Sequence, residues 1–237
     1  MNILGHKGVV VRQIDRIDQQ VIKSMAQYGV ATIHEAQGRK GLMAPRIRPI
    51  QQGVCISGSA VTLLVAPGDN WMFHVAVEQC LPGDIIVVSP TSPCYDGFFG
   101  DLLATSMQAR GVVGLVGDIG IRDSQVLRKM GFHVWSRAIY SQGTVKETLG
   151  SVNVPIVCAD QLVNPGDMIV ADDDGVVVIR REEALDVEKK SQQRMHLEES
   201  KRQRMALGEL GLDIYEMRLR LAEKGLRYVE RLEDLEL

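Results

Sequence analysis

The sequence predicts an α/β fold: a single domain with a central β-rich core flanked by helices, followed by a C-terminal helical extension. Three observations carry this. The phrase Pro-Gly-Asp followed by an apolar run occurs twice, at Pro82-Gly83-Asp84 and at Pro165-Gly166-Asp167. The segment between the two copies alternates helix-like and strand-like patterns, the order that builds a parallel sheet layer. From Arg181 to Met205 the chain is charged, helix-forming and poor in breakers. The expected division is a domain over residues 1–205 and an extension over 206–237.

Each element follows from local pattern. Ile14, Ile17, Val21, Ile22 and Met25 are spaced as on one helix face, which predicts a helix from Ile14 to Tyr28 that stops at Gly29. A second helix is expected to start at Thr32, whose hydroxyl can cap the following turn. Residues 38–49 read as loop. Val54 to Ala66 is an apolar strand stopped by Pro67-Gly68-Asp69, and Trp71 to Gln79 is helical. In each Pro-Gly-Asp phrase, Pro presets the turn, Gly takes the positive φ and Asp can bond nearby backbone. Two copies 83 residues apart are too few for a solenoid and suggest two similar strand starts in one core. Between them, 100–110 is a helix, 112–116 a strand, 123–130 a helix and 132–135 a strand. Asp173-Asp174-Gly175 separates two β-branched runs as a hairpin turn would. Gly208 and Gly211 interrupt the C-terminal helix, and a last helix is expected from Leu212 to the end.

Composition narrows the function. The 237 residues are 45% apolar and 24% charged, which excludes a disordered, collagenous or coiled-coil chain. Aromatics are only 5%, so packing is aliphatic and the composition disfavours a base-stacking platform for single-stranded nucleic acid. With 27 Lys plus Arg against 30 Asp plus Glu, no bulk charge favours a nucleic-acid or membrane partner. Cys55, Cys80, Cys94 and Cys158 form no C-x-x-C pair and read as free thiols. The N-terminus has no signal-peptide core, and no apolar run reaches the roughly 20 residues of a membrane span. A soluble cytoplasmic protein is expected.

Two places combine a strand end, glycine and acid. In Gly97-Phe98-Phe99-Gly100-Asp101-Leu102-Leu103, a glycine precedes a helix whose first N–H groups lack intrahelical partners and suit a carboxylate or phosphate. In Gly117-Asp118-Ile119-Gly120-Ile121-Arg122-Asp123, a planar cation stands beside a hard oxygen ligand for a divalent metal. Each could be an ordinary helix start, with an acidic first turn in one case and an Asp cap beside a surface Arg in the other. Together they would lie side by side at one edge of a parallel sheet, where ligands gather.

Asp101, then twenty residues, then Arg122-Asp123, together with Ala31-Thr32-Ile33-His34-Glu35-Ala36 and Asp174-Gly175-Val176-Val177, resembles a known family. It is that of the class II pyruvate aldolases acting on 4-hydroxy-4-methyl-2-oxoglutarate and 4-carboxy-4-hydroxy-2-oxoadipate, which share their fold with the regulator of ribonuclease E activity A. The resemblance covers about Asp15 to Met205 and implies a swivelling β/β/α-like core. It implies that Asp123 binds the divalent metal, magnesium or manganese. Arg122 would hold the oxygen of a pyruvate moiety, and backbone amides of Gly100, Asp101, Leu102 and Leu103 would grip its carboxylate. Asp101 would orient or deprotonate a water on the metal. The family builds its site at a subunit boundary of trimers or of hexamers made from them, with Glu35, Glu198 and Glu199 as candidates for acids supplied by a neighbour. A solvated helix face explains those glutamates as well. The implied reaction is retro-aldol cleavage late in aromatic-acid catabolism, with oxaloacetate decarboxylation from the same enolate. Arg39, Lys40 and Arg137 are candidates for the substrate's other carboxylates.

Other signals carry less. Asp172-Asp173-Asp174-Gly175 fails as an EF-hand because Val170 and Arg181 occupy the first and last ligand positions. Glycines at 111, 114, 117 and 120 do not spell a dinucleotide fingerprint. His74 with Glu78 reads as an exposed or satisfied pair rather than a ligand pair. Cys94 and Tyr95 border the site but have no neighbouring histidine to activate a thiol. The rival reading is a non-catalytic regulator of the same fold that docks on a ribonuclease or helicase. A phosphoryl-carrier domain would need a histidine in a glycine-rich loop, and none of the five histidines has that context.

Overall fold

Both Pro-Gly-Asp phrases deliver their strands to Ser59. This residue lies on β2 (Ile56–Val65), opposite Asp84 of the parallel strand β3 (Asp84–Pro90) and opposite Met168 of the antiparallel strand β10 (Met168–Ala171). In both turns the aspartate is buried and closes the loop by accepting from the backbone N–H three residues earlier, Leu81 for Asp84 and Asn164 for Asp167, at 2.8 and 2.9 Å. Gly83 and Gly166 hold φ of 91° and 83°, the left-handed conformation these turns demand. The structure, a computed structural model, describes residues 8–235. The N-terminal stretch expected to lack a signal-peptide core and the last two residues of the expected final helix lie outside the described residues.

Seven strands run in the order β1 (Arg48–Pro49), β6 (His133–Ile139), β5 (Gly114–Ile121), β3, β2, β10 and β11 (Val176–Ile179). Strand β4 (Gly97–Phe99) pairs with β5, and β7 (Ser151–Val152) with β2. The four central strands β6, β5, β3 and β2 are parallel, while β10 and β11 form the antiparallel hairpin expected around Asp173-Asp174-Gly175. A separate small hairpin joins β8 (Ile156–Cys158) and β9 (Gln161–Val163). The sheet curls. Trp135 on β6, near one edge, donates its indole N–H to the carbonyl of Asp172 in the β10–β11 turn at the other edge, 2.7 Å away.

Two cores follow from this curvature and from the two-residue period of strands. Inside the curl pack Ala60, Ile85, Val87, Val116, Trp135 and Ile169. Their strand neighbours Val61, Ile86, Val88, Leu115 and Val134 face outward, where they meet the helices α3 (Trp71–Gln79), α4 (Asp101–Ala109) and α5 (Ser124–Met130). Burial on both faces explains why these strands read as continuous apolar runs.

The helices differ from expectation where tertiary partners intervene. Helix α1 spans Gln19–Met25 and is capped by Asp18, whose carboxylate accepts from Gln20 N at 2.7 Å. Residues 14–17 are not helical, because Arg16 reaches out to grip Asp84 through Nε and Nη2, both at 2.9 Å, and Ile17 N donates to Ser59 Oγ. Helix α2 (Val30–Ala36) starts before Thr32, and its cap comes from afar: Val30 N donates to Asp172 Oδ2 at 2.8 Å. Strand β5 continues to Ile121, through residues expected to form a loop, because Gly117 and Gly120 let it pack closely; a Cβ on Gly120 would lie 1.8 Å from the Tyr95 carbonyl. The long helix α6 (Ala184–Ala206) forms as expected. The final helix does not run through: α7 (Gly211–Ile214) and α8 (Met217–Glu223) are short, split at Glu216 with φ 51° and stopped at Gly225 with φ 87°. The chain forms one unit up to Gln192 and a second from Gln193. No helix among the described residues is long and apolar enough to cross a membrane.

Candidate active site

Helices α4 and α5 begin at the ends of neighbouring strands β4 and β5, which brings their first residues together. Gly100, Asp101, Leu102, Leu103, Arg122 and Asp123 line one cleft of about 160 Å³, joined by Asn70, His74, Phe98 and Lys146. The two glycine-plus-acid segments therefore share a site.

Asp123 is not an ordinary cap. It takes the left-handed conformation (φ 56°, ψ 29°), and its side chain makes no capping bond to α5. Asp and Asn tolerate this conformation better than other side chains. The turn instead sends the carboxylate back towards α4, where Oδ2 lies 3.4 Å from Asp101 N and 3.7 Å from Arg122 Nε. Gly100 makes room for it. Its φ of −150° suits any residue, but a Cβ there would sit 2.3 Å from Asp123 Oδ2. Asp101 Oδ1 accepts from Leu102 N at 2.8 Å. Thus the first amides of α4, the ones expected to hold a substrate carboxylate, already present hydrogen-bond geometry to carboxylate oxygens of this chain.

Three site contributors lie beyond the sequence motifs. Asn70, at the start of α3, is buried; its Nδ2 donates to the Phe98 carbonyl at 2.9 Å, and its Oδ1 has no partner among the described residues. His74, read from sequence as half of an exposed or satisfied pair with Glu78, is exposed and lies one turn along the same helix on the cleft. Lys146 arrives on the loop before β7. Buried Asp69 anchors that loop, accepting from Glu147 N and Thr148 N at 2.6 and 2.7 Å and from Trp71 N at 2.8 Å. Burial alone would raise the Asp69 pKa; the three backbone donors and the charge of Lys146 outweigh it and hold the carboxyl below its ordinary range. Nothing in the local pattern of residues 141–149 announces a site residue, because the contact spans 77 positions from Asp69 to Lys146.

The remaining candidates lie elsewhere. Glu35 stands on α2 near Arg39, 3.7 Å away, and does not line the cleft. Glu198 and Glu199 sit on α6 within the second unit, paired with Arg194 and Arg202. Lys40 lines a different hollow, with Gln161 and Arg180. Arg137 is committed to Asp118, 3.2 Å away, and to the Tyr95 hydroxyl, and its guanidinium stacks 4.5 Å over the Tyr95 ring. Lys146, rather than Arg39, Lys40 or Arg137, is the cation that accompanies Arg122 in the cleft lining.

No cluster of three or more His, Cys, Asp or Glu side chains placed to hold a metal occurs among the described residues. The donor set nonetheless suits a hard cation. Magnesium is commonly held by one or two carboxylates, with waters and substrate oxygens filling its other positions, and Asp123 supplies one such carboxylate.

Comparison with known proteins shows the family. Residues 19–178 match the RraA-like family described as Aldolase/RraA. A protein of Halalkalibacterium halodurans named "Putative 4-hydroxy-4-methyl-2-oxoglutarate aldolase" is 34% identical over 62% of this chain and 71% of its own length. One of the same name from Burkholderia multivorans is 30% identical over 60% of this chain and 87% of its own. The solved structure of Streptomyces coelicolor RraAS2, described as an unusual member of the RNase ES inhibitor RraA protein family, superposes with a TM-score of 0.72. It is 27% identical, over 80% of this chain and 99% of that one. With its motifs gathered on one cleft and its sequence matched across the sheet and flanking helices, this chain belongs to the Aldolase/RraA family.

Proposed function

We propose that the protein is a divalent-metal-dependent aldolase of 4-hydroxy-2-oxo diacids. It would cleave 4-carboxy-4-hydroxy-2-oxoadipate or 4-hydroxy-4-methyl-2-oxoglutarate to pyruvate plus oxaloacetate or pyruvate, in aromatic-acid catabolism. The observation that carries this is the convergence of the α4 amides, Asp101, Arg122 and Asp123 on one cleft.

When substrate enters, the first amides of α4 exchange their contacts with the Asp101 and Asp123 carboxylates for the carboxylate beside the keto group, and the helix dipole reinforces them. The Arg122 guanidinium holds the keto oxygen, and strengthens its hold as negative charge develops there. Asp101 takes the proton of the C4 hydroxyl. The C3–C4 bond then breaks, C4 becomes a carbonyl and its electrons pass to the enolate of pyruvate, which is protonated at C3. Asp123 would hold magnesium or manganese, which would supply Lewis-acid stabilisation of that enolate. Oxaloacetate losing carbon dioxide forms the same enolate, so decarboxylation follows from one set of groups.

Lys146 raises the question of a Schiff base. A lysine nucleophile is activated by desolvation or a neighbouring cation, whereas Lys146 is exposed on a loop. Its role here is binding. Borohydride in the presence of pyruvate should therefore trap no covalent adduct, and a trapped adduct at Lys146 would replace the metal mechanism.

Exposed Trp71, Leu102, Val126, Ile139, Tyr140 and Val145 support a homo-oligomer, a trimer or a hexamer made of two trimers, with neighbours near the cleft. Light scattering at micromolar concentration tests this, and a monomer would contradict it. The deciding experiment for function measures pyruvate release from oxaloacetate and from 4-carboxy-4-hydroxy-2-oxoadipate, with magnesium and after chelation. Magnesium-dependent release from both is expected. Silence with both would favour a docking protein of the kind that the similarity to RraAS2 suggests.

A further inference from the structure

We propose that the 144–149 segment is the substrate-selecting arm of the cleft. In it Lys146 receives the carboxylate farthest from the keto group, and Asp69 is the positioning residue that holds Lys146 in place. This rests on the aldolase reading and names the part of that site which tells a multi-carboxylate substrate from pyruvate alone.

The arm has little else to hold it. Residues 145–149 are exposed, and Val145 and Leu149 leave 58% and 57% of their surface in solvent, so apolar burial does not fix the segment. Polar bonds to one turn do. Val145 N donates to the Gly68 carbonyl at 2.9 Å, and Asn70 N donates to the Val145 carbonyl at 3.0 Å. On the other side of Lys146, Glu147 N and Thr148 N both donate to Asp69 Oδ2, at 2.6 and 2.7 Å. Lys146, which lines the cleft, is thus pinned on each flank.

Burying a carboxylate is costly unless each oxygen is satisfied. Asp69 is 2% exposed, and two of its three backbone donors come from the arm. The next residue of the same turn, Asn70, donates to the Phe98 carbonyl two residues before Gly100. One turn, 66–70, therefore sets the distance between the amides that take the first carboxylate and the ammonium offered to a second. That arrangement reads substrate length. The low-lying Asp69 carboxyl is consistent with a clamp that stays ionised at neutral pH.

The test compares two reactions in the metal-loaded protein: cleavage of 4-carboxy-4-hydroxy-2-oxoadipate, and deuterium exchange into the methyl group of pyruvate, which has no distal carboxylate. The readout is the ratio of their kcat/KM values. In Lys146→Met the ratio should fall roughly tenfold or more, the scale of one charge-assisted hydrogen bond, chiefly through KM. Lys146→Arg should restore most of it. Asp69→Asn should lower the ratio in the same direction and speed amide exchange at Glu147 and Thr148; Lys146→Met should leave those amides protected. An unchanged ratio in Lys146→Met would overturn the role of the arm, and it needs no change at the buried position. A fall in both reactions together in Asp69→Asn would make Asp69 merely structural. A wild-type protein inactive in both reactions would sink the aldolase reading itself, an outcome distinct from an active enzyme with an unaltered ratio.

Discussion

Asp123 Oδ2 lies 3.4 Å from the backbone nitrogen of Asp101, a contact between the starts of two helices 22 residues apart. The left-handed turn at Asp123 and the missing side chain at Gly100 make it possible. One residue is bent back, and the other leaves space for it.

Gly100 and Gly120 should therefore respond differently to alanine. In Gly100→Ala the new Cβ meets the movable end of Asp123, so stability should change by less than about 1 kcal/mol while pyruvate release falls about tenfold or more as the carboxylate is displaced. In Gly120→Ala the Cβ meets the Tyr95 and Asp96 carbonyls, which are backbone, and the loss of stability should exceed about 2 kcal/mol. Urea unfolding and pyruvate release measured on both variants check the contrast.

Removing the charge of Asp123 should abolish magnesium-dependent turnover without unfolding the protein. Asp123→Asn is the better variant than alanine, since Asn keeps the left-handed conformation. Full activity in Asp123→Asn would remove the metal role. Arg122→Lys should also lose much of its kcat/KM, because a point ammonium cannot replace a planar fork.

Asp118 should be a stability residue rather than a site residue. It is buried on β5, where Arg46 and Arg137 bind it at 2.9 and 3.2 Å, and Arg46 also pairs with Asp160. Hydrogen bonds to Asp160 and then Asp118 raise the Arg46 pKa further, so this guanidinium never titrates. Asp118→Ala takes one partner from each arginine, while Arg46 keeps Asp160 and Arg137 keeps Tyr95, and should cost about 1–2 kcal/mol, measured by urea denaturation.

The Asp69 clamp should give stability an acid limb. Its folded pKa lies below the unfolded value of about 3.9, so the contribution is fully present above that value and is lost as pH falls through the folded one. The stability difference between wild type and Asp69→Asn should be largest at neutral pH and shrink towards pH 3 and below. A difference that grows on acidification would contradict the sign.

Thiol reactivity should follow burial. Burial first, and the nearby Asp118 charge second, push the buried Cys158 thiol up to about 12; burial and Asp84 do the same at Cys80, also to about 12. A thiol reagent at pH 8 should leave both unlabelled in the folded protein, while half-buried Cys94 reacts. Rapid labelling of all four would show that the core opens.

The sequence by itself determined the α/β class, both Pro-Gly-Asp turns, the β10–β11 hairpin and the residues Gly100 to Leu103, Arg122 and Asp123 that meet at the cleft. These are local signals: turn dihedrals, apolar periodicity, and acids placed beside glycines where strands give way to helices. Only the tertiary structure decided that the helix expected from Ile14 starts at Gln19, because Arg16 bonds a carboxylate 68 residues away. It also decided that β5 runs on through Asp118, since Gly120 of that strand packs against the Tyr95 and Asp96 carbonyls and its acid meets arginines at 46 and 137. Lys146 entered the cleft for the same reason. Its position depends on a buried carboxylate far off in the chain, and a bond between distant segments leaves no mark on the pattern around either one.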